Sequence, residues 1–421
     1  MTNKKRVVVM AGDCYPLQSA TGAIAIKCAE IFNNSGEYDV HIICGQEGNN
    51  KLKGRVVNGI SYNSVGYWLQ IILDIIREKR KKSVVGFFFT FLYCVFKAIE
   101  KISILLLHID SRWWYRKKAK QLLDNLNRDE KISIIVSLCL PLEAHLAALD
   151  FKKNNPDCKW VCYWADLFAT QRNCKNIFCD LRNLISIEYE INQLADIVLT
   201  TEEIFEVFRL RDYQLNNKVK RIPYCLKESI LELDWEYKRV DNRKLQLVCM
   251  GAFYKDLRNP SYMLESVSLA ANSTNLNLNL YTQGQCQEIV DVFVEKSHGT
   301  IKHFGVVPFD ILKQVMINSD ILVNIENNTT EYRPSKLFEL MSYRKPIINF
   351  RYFDTESVLG AYPMKLEINM NNTSVESAAT MIRAFCEKIG EQPMLTSDEL
   401  RNLYPNNVET VLSDILLNNV E

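Results

Sequence analysis

The chain carries no GxGxxG, no DxD on a loop, no CxxC pair and no uncharged apolar run long enough to cross a bilayer. Each absence removes a class of function. Without the glycine fingerprint, a dinucleotide-dependent dehydrogenase is disfavoured. Thirteen cysteines, odd in number and irregular in spacing, make no disulfide framework, and a reducing cytoplasm is expected. Cys158, Cys162, Cys174 and Cys179 lie near one another, but their spacing matches no common zinc site, and no metal is expected. The N-terminus is basic yet runs into only the short apolar stretch Val7 to Ala11, too short for a signal-peptide core. A formal net charge of +1 provides no general field for nucleic acid.

What is present describes a globular α/β protein. At 421 residues the chain is too long for one ordinary core, so two domains are expected. Val7 to Met10 is a β-branched run, broken by Gly12 to Pro16. Gly22 then opens a helix on which Ile24, Cys28, Ile31 and Phe32 recur at helical spacing, and Asp39 to Cys44 reads as a second strand. Strand, glycine-containing loop, helix and strand begin a doubly wound domain, whose ligands bind at the carboxyl ends of the strands. Gly22 fits either a tight helix start or a diphosphate contact. Ile132 to Leu138 and Trp160 to Trp164 read as further strands, followed by His145 at the head of a helix and by Asp166 at a strand's end. The charged stretch Leu226 to Lys244 reads as a linker, after which strand and helix alternation restarts at Leu245.

The densest chemistry lies in Glu331-Tyr332-Arg333-Pro334-Ser335-Lys336-Leu337-Phe338-Glu339-Leu340-Met341. Pro334 fits the first turn of a helix, where free amides near Ser335 and Lys336 favour an anion. At 3.6 residues per turn, Lys336, Glu339 and Tyr343 share one face, and Leu337, Leu340 and Met341 share another that can pack on a sheet. A diphosphate needs amides and a cation, and a ribose needs a carboxylate, so Lys336 and Glu339 suit adjacent parts of one ligand. Read alone, the pair also fits an ordinary exposed charge pair on an amphipathic helix.

This segment resembles the donor-binding motif of retaining GT-B glycosyltransferases of the family 4-like group, in the branch with a Pro-Ser-Lys-x-x-Glu variant. Leu245 to Gly251, followed by a loop with Lys255, Arg258, Asn259 and Pro260, is similar to the family's strand and phosphate-binding loop. His303-Phe304-Gly305-Val306-Val307-Pro308 matches its base-contacting loop in order and spacing. The resemblance covers residues 185 to 355 well and the N-terminal half loosely. It implies two Rossmann-like domains facing across a cleft. Residues 1–225 would form the acceptor side and 226–395 the nucleotide-sugar domain, with a helix in 396–421 returning toward the first.

The implied reaction moves a sugar from a nucleotide-diphosphate donor, UDP first among them, to a hydroxyl of a saccharide or lipid-linked saccharide, with retention and without a metal or cofactor. Arg258, Lys336, Glu331, Asp166 and His145 are the implied reacting-centre residues. Gly22, Gly251, Lys255, Gly305, Val306, Pro334, Ser335, Leu337 and Glu339 would bind the donor. The chain departs from the pattern where Ala252 and Phe253 follow Gly251, and where Tyr343-Arg344-Lys345-Pro346 stands in place of a glycine cap. A nucleotide-sugar 2-epimerase and a non-catalytic nucleotide-sugar-binding subunit are the alternatives.

An insertion near 67–120 carries cations at 77–82 and again at 112–118, flanking apolar runs at 84–96 and 102–107. The uncharged run Ser83 to Phe96 is shorter than the ~20 residues a spanning helix needs. Aromatic residues beside cations fit an anionic membrane surface, at the inner face of the cytoplasmic membrane, and equally fit a buried helix pair with a solubilising rim.

Overall fold

In a computed structural model, residues 4–14, 19–45, 52–66, 72–73, 76, 86–109, 112–169, 176, 178–213, 215–233, 243–329, 336–389 and 395–420 are described. The chain divides into two compact units, Met1–Ile222 with Leu412–Glu421, and Pro223–Val411.

The first unit grows from β1 (Lys5–Met10), whose Val7 to Met10 are wholly buried. Burial on both faces is the mark of a central strand in a parallel sheet. Helix α1 (Ala20–Asn34) is capped by Ser19, whose hydroxyl accepts from the Gly22 amide at 3.0 Å. The chain continues through β2 (Tyr38–Gly45), β3 (Arg55–Val57), β4 (Ile60–Val65), α2 (Gly86–Leu107), α3 (Trp114–Asp129), β5 (Ile132–Cys139) and α4 (Leu142–Asn154). It then passes β6 (Lys159–Trp164), α5 (Leu181–Leu194), β7 (Ile197–Thr200), α6 (Glu202–Leu210) and β8 (Val219–Arg221). The strand order is β3-β4-β2-β1-β5-β6-β7-β8, parallel except for the β3–β4 hairpin. The order reverses at β1, so the loops after β1 and β5 sit at a topological switch point.

The segment 112–118 departs from the membrane expectation. Trp114 and Tyr115 are buried under the sheet, and the Tyr115 hydroxyl donates to the Ile43 carbonyl at 2.8 Å. The Arg116 guanidinium forks onto Asp150 at 2.6 and 2.7 Å. Two large rings stabilise far more in the core than at a wetted surface, so this part of the insertion belongs to the first unit's interior.

The second unit begins in the stretch expected to be a linker. There α7 (Glu228–Leu231) buries Ile230 and Leu231 in the same core as Leu337 and Met341. Strands β9 (Leu245–Phe253), β10 (Leu276–Gly284), β11 (Ile301–His303), β12 (Ile321–Ile325), β13 (Ile347–Arg351) and β14 (Lys365–Asn369) form one parallel sheet. The intervening helices are α8 (Ser261–Ala271), α9 (Gln287–Lys296), α10 (Phe309–Asn318) and α11 (Lys336–Ser342). Helices α12 (Val375–Glu387) and α13 (Ser397–Leu403) follow, and most of the last helix, α14 (Glu409–Val420), is counted with the first unit. The order is β11-β10-β9-β12-β13-β14, which reverses between β9 and β12.

Both faces of this sheet are packed. Leu247 and Leu278 lie in one core with α8 and α12, and Val248 and Met250 lie in the other with α11. Helix α11 buries Leu337, Leu340 and Met341 as its spacing requires, but Phe338 and Tyr343 are buried in the same core, so Tyr343 does not share an open face with Lys336 and Glu339. The left-handed cap that a glycine would ordinarily supply is made by Arg344 at φ 54°, with its amide donating to the Met341 carbonyl at 2.7 Å.

Candidate active site

The carboxyl ends of β9 and β12 flank the point where the sheet order reverses, the place where open α/β sheets bind ligands. Strand β9 was expected to end at Gly251 and instead runs on to Phe253, with Gly251 at φ +116° inside it. A side chain at 251 is excluded twice, by that dihedral and by space. A Cβ there would stand 1.9 Å from the Lys336 ammonium, which reaches back from the start of α11 and donates to the Met250 carbonyl at 3.2 Å.

Arg258 approaches the same strand end from a tight turn in which Tyr254 and Arg258 exchange backbone hydrogen bonds at 3.2 and 2.8 Å. Its guanidinium donates to the Ala252 carbonyl at 3.4 Å and to Asn327 Oδ1 at 2.7 Å, and its Nε is buried without a partner. Asn327 follows β12, and the Asn328 amide donates to the Leu257 carbonyl at 2.7 Å, so the loops after the two strands hold each other. Sequence reasoning missed Asn327, which carries no motif of its own.

The electrostatics are those of an uncompensated site. Among the described residues neither Arg258 nor Lys336 has a carboxylate partner within ion-pair distance. Burial first, and then the charge of Arg258, pull the Lys336 ammonium below its ordinary value, while Glu339 and Cys249 act the other way. Burial likewise lowers Arg258. Burial raises the Glu339 carboxyl, opposed by Lys227 and then Lys336. Lys227 is a second residue that sequence reasoning passed over, since it stood in the supposed linker. Two half-buried cations with no carboxylate within ion-pair distance among the described residues suit an anionic ligand.

After β11, Phe304 stacks on Tyr281 at 4.9 Å with planes 9° apart, and half of its surface is exposed. Gly305 follows at φ +69° and Val306 is exposed, so the loop offers a flat apolar platform. Lys255 is exposed on the turn. Leu337 has its side chain in the core, which leaves only its backbone for a ligand. Glu331, Pro334 and Ser335 lie outside the described residues.

No family model matches the sequence, and no curated protein matches it. Solved structures do. The starch synthase IV catalytic domain from Arabidopsis thaliana, bound to ADP and acarbose, aligns at TM-score 0.55 and 10% identity over 99% of this chain and 100% of that one. HepE from Anabaena, in complex with UDP and glucose, aligns at 0.56 and 11% over 99% of each. The lipopolysaccharide outer core galactosyltransferase WaaB, in its apo form, aligns at 0.51 and 12% over 99% and 98%. The fold is GT-B.

In this GT-B chain the first unit treats its sequence-predicted residues differently. His145 is wholly buried, not at a reacting centre. Its Nδ1 pairs with the Ser137 hydroxyl at 2.7 Å, its ring stands edge-on to Trp164 at 4.5 Å, and burial holds its pKa down to about 3. A neutral imidazole sealed in the core reaches no substrate, which corrects that expectation. Gly22 is also structural. A Cβ there would meet the Asp13 carbonyl at 1.8 Å, so the glycine is needed where α1 crosses the loop after β1.

Asp166 remains at the end of β6, partly exposed, with its carboxyl pushed up to about 6 by burial. Farther along the same loop, the Phe168 and Ala169 amides donate to Glu188 at 3.1 and 2.6 Å, and this holds the loop in place. Arg112, expected at the membrane face, instead pairs with Asp13 at the switch point and lies against Gly12 and Gly45.

Proposed function

We propose that the chain transfers a glycosyl unit from a nucleotide-diphosphate sugar, UDP first among them, to a hydroxyl acceptor with retention at the anomeric carbon. The acceptor class is a saccharide or lipid-linked saccharide of surface polysaccharide or glycolipid assembly, with the chain peripheral on the inner face of the cytoplasmic membrane. The observation that carries this reading is the uncompensated pair Arg258 and Lys336 at the switch point of a GT-B second unit.

The physical problem of the reaction is the leaving group. Negative charge grows on the diphosphate as the glycosidic bond lengthens, so two fixed cations in a low-dielectric site bind that state more strongly than the intact donor. Glu339, one turn along α11 from Lys336, accepts from the ribose hydroxyls. Phe304 offers its exposed ring to the base. In the retaining reading the departing phosphate oxygen takes the proton of the incoming hydroxyl, and the sugar is delivered to the face it left. The cations supply charge stabilisation without a divalent ion.

Lys336→Ala tests the assignment. It is expected to lower turnover by about 10²–10³-fold, the scale of losing one charge-stabilising donor. Retained turnover would refute the role. A panel of nucleotide sugars in thermal melts identifies the donor, since a ligand at a hundred times its Kd adds about 2.7 kcal/mol. A donor that is bound and never transferred or hydrolysed would favour a binding subunit. Isomerised donor without an acceptor would favour an epimerase.

A further inference from the structure

Helix α2 exposes Phe88, Phe91, Val95, Ile99, Ile102 and Leu106, each between 39% and 61% of its surface. The six recur at steps of three, four, four, three and four residues, so they line one face. The stripe is about 27 Å long at 1.5 Å per residue. Lys97 and Glu100 bond each other away from it, leaving the face free of charge. Monomeric soluble proteins rarely leave so long an apolar surface in water. Among the described residues no helix is long and apolar enough to cross a membrane. Lys97, Glu100 and Lys101 near the middle of α2 are consistent with a helix lying in a surface, not through it.

What covers the face is decided by charge. Residues 77–118 contain eleven Lys and Arg against three Asp and Glu, a net +8 in a chain whose total is +1. Arg112 and Arg116 pair with Asp13 and Asp150, which leaves the segment's sequence a net +6, and a second copy would bring that charge against the same charge. An anionic surface is attracted by the same charge.

We infer that α2 lies in the headgroup boundary of an anionic lipid bilayer with Phe88, Phe91, Val95, Ile99, Ile102 and Leu106 turned toward the acyl chains. The inference deepens the membrane part of the proposed function and rests on it for the acceptor's location. It stands separately from the donor chemistry. The basic run 77–82 lies outside the described residues and contributes its charge as a fact of sequence. Trp114 and Tyr115, being buried, take no part.

The test is co-sedimentation of the full chain with phosphatidylcholine vesicles, with and without phosphatidylglycerol. Partition onto the anionic vesicles is expected to exceed that onto neutral ones at least about tenfold at low salt, and to fall as salt rises. The exposed triple substitution Phe88→Ser, Phe91→Ser and Ile99→Ser should lower it at least about tenfold. If the triple variant fails to fold, Phe91→Ser alone carries the test, with a drop of about threefold. Equal recovery on neutral and anionic vesicles would overturn the inference, as would unchanged partition of the variants. So would a stable dimer by light scattering that the triple substitution converts to monomer. Donor-dependent thermal shifts measured without vesicles should be the same in parent and variant. Their absence in the parent defeats the glycosyl-transfer reading and leaves the vesicle result standing.

Discussion

Gly251→Ala places one methyl group where the Lys336 ammonium sits. The added Cβ would stand 1.9 Å from Nζ and 3.3 Å from Cε. Because the ammonium is the free end of a flexible chain, it moves and the backbone of β9 does not, so the clash is relieved by emptying the site of one cation. A second cost is backbone strain. At φ +116° an L-residue is held where it rarely goes, at about 1–3 kcal/mol. In a unit of about 190 residues each kcal/mol moves Tm by about 2–4 °C, so a drop of about 2–12 °C is expected.

Turnover should fall about 10²–10³-fold, as for Lys336→Ala, because both substitutions remove the same charge from the leaving group. The decisive measurement is the double variant. If the glycine acts through the lysine, Gly251→Ala in a Lys336→Ala background lowers stability further and turnover no further. Nucleotide release at saturating donor, followed beside thermal melts, reads both quantities. Parent-like turnover in Gly251→Ala, or multiplicative losses in the double variant, would refute the reasoning.

Asn327→Ala removes the 2.7 Å acceptor of Arg258 and leaves a buried guanidinium N–H unpaired. Urea melts should show a loss of about 1–3 kcal/mol, with donor KM raised about tenfold, and an unchanged KM would show that Asn327 does not position the cation. Asp166 binds its proton more tightly folded than unfolded, since burial raises its carboxyl to about 6. Its contribution is therefore full below about pH 4, and stability falls by about 3 kcal/mol as pH rises through 6. Asp166→Asn should flatten that limb of the stability curve, and parallel curves would count against the shift. His145 has the opposite sign. Held down to about 3 by burial, it contributes stability above about pH 6.5 that is lost as pH falls. In labelled NMR spectra the His145 ring should show no titration between about pH 5 and 8, and an ordinary titration there would place it in water.

The site's skeleton was legible because periodicity and residue type agreed there. Leu337, Leu340 and Met341 declared a buried face on α11, and Lys336 reaches the backbone of β9. The strand-end glycine and Arg258 took their meaning from the family resemblance, not from any local pattern. His145 was misread because its pocket is tertiary. Ser137 and Cys162, at 2.7 and 3.5 Å from its ring, come from neighbouring strands, and nothing local to residue 145 announces them. Trp114 and Tyr115 failed for the same reason, since an aromatic pair among cations reads alike at a membrane and under a sheet. Asn327 and Lys227 were invisible because a polar residue after a strand, or in a charged stretch, has no period to violate.

The chain itself supplies the contrast that gives Arg258 and Lys336 their meaning. Four structural guanidiniums meet carboxylates: Arg211 with Glu188 at 2.6 Å, Arg243 with Asp320 at 2.7 Å, Arg401 with Glu228 at 2.6 Å, and Arg6 with both Asp39 and Glu130, whereas Arg344 meets the Leu233 carbonyl. At the end of β9 the partners are a carbonyl for Lys336, and a carbonyl and an amide oxygen for Arg258. Neutral acceptors fix direction without cancelling charge. Burial disfavours each cation and Arg258 further disfavours Lys336, so under the proposed function a diphosphate would relieve unfavourable electrostatic energy on binding. Under that proposal the relief would be larger for a ligand whose charge is still growing, so the same two cations would serve both donor affinity and bond cleavage.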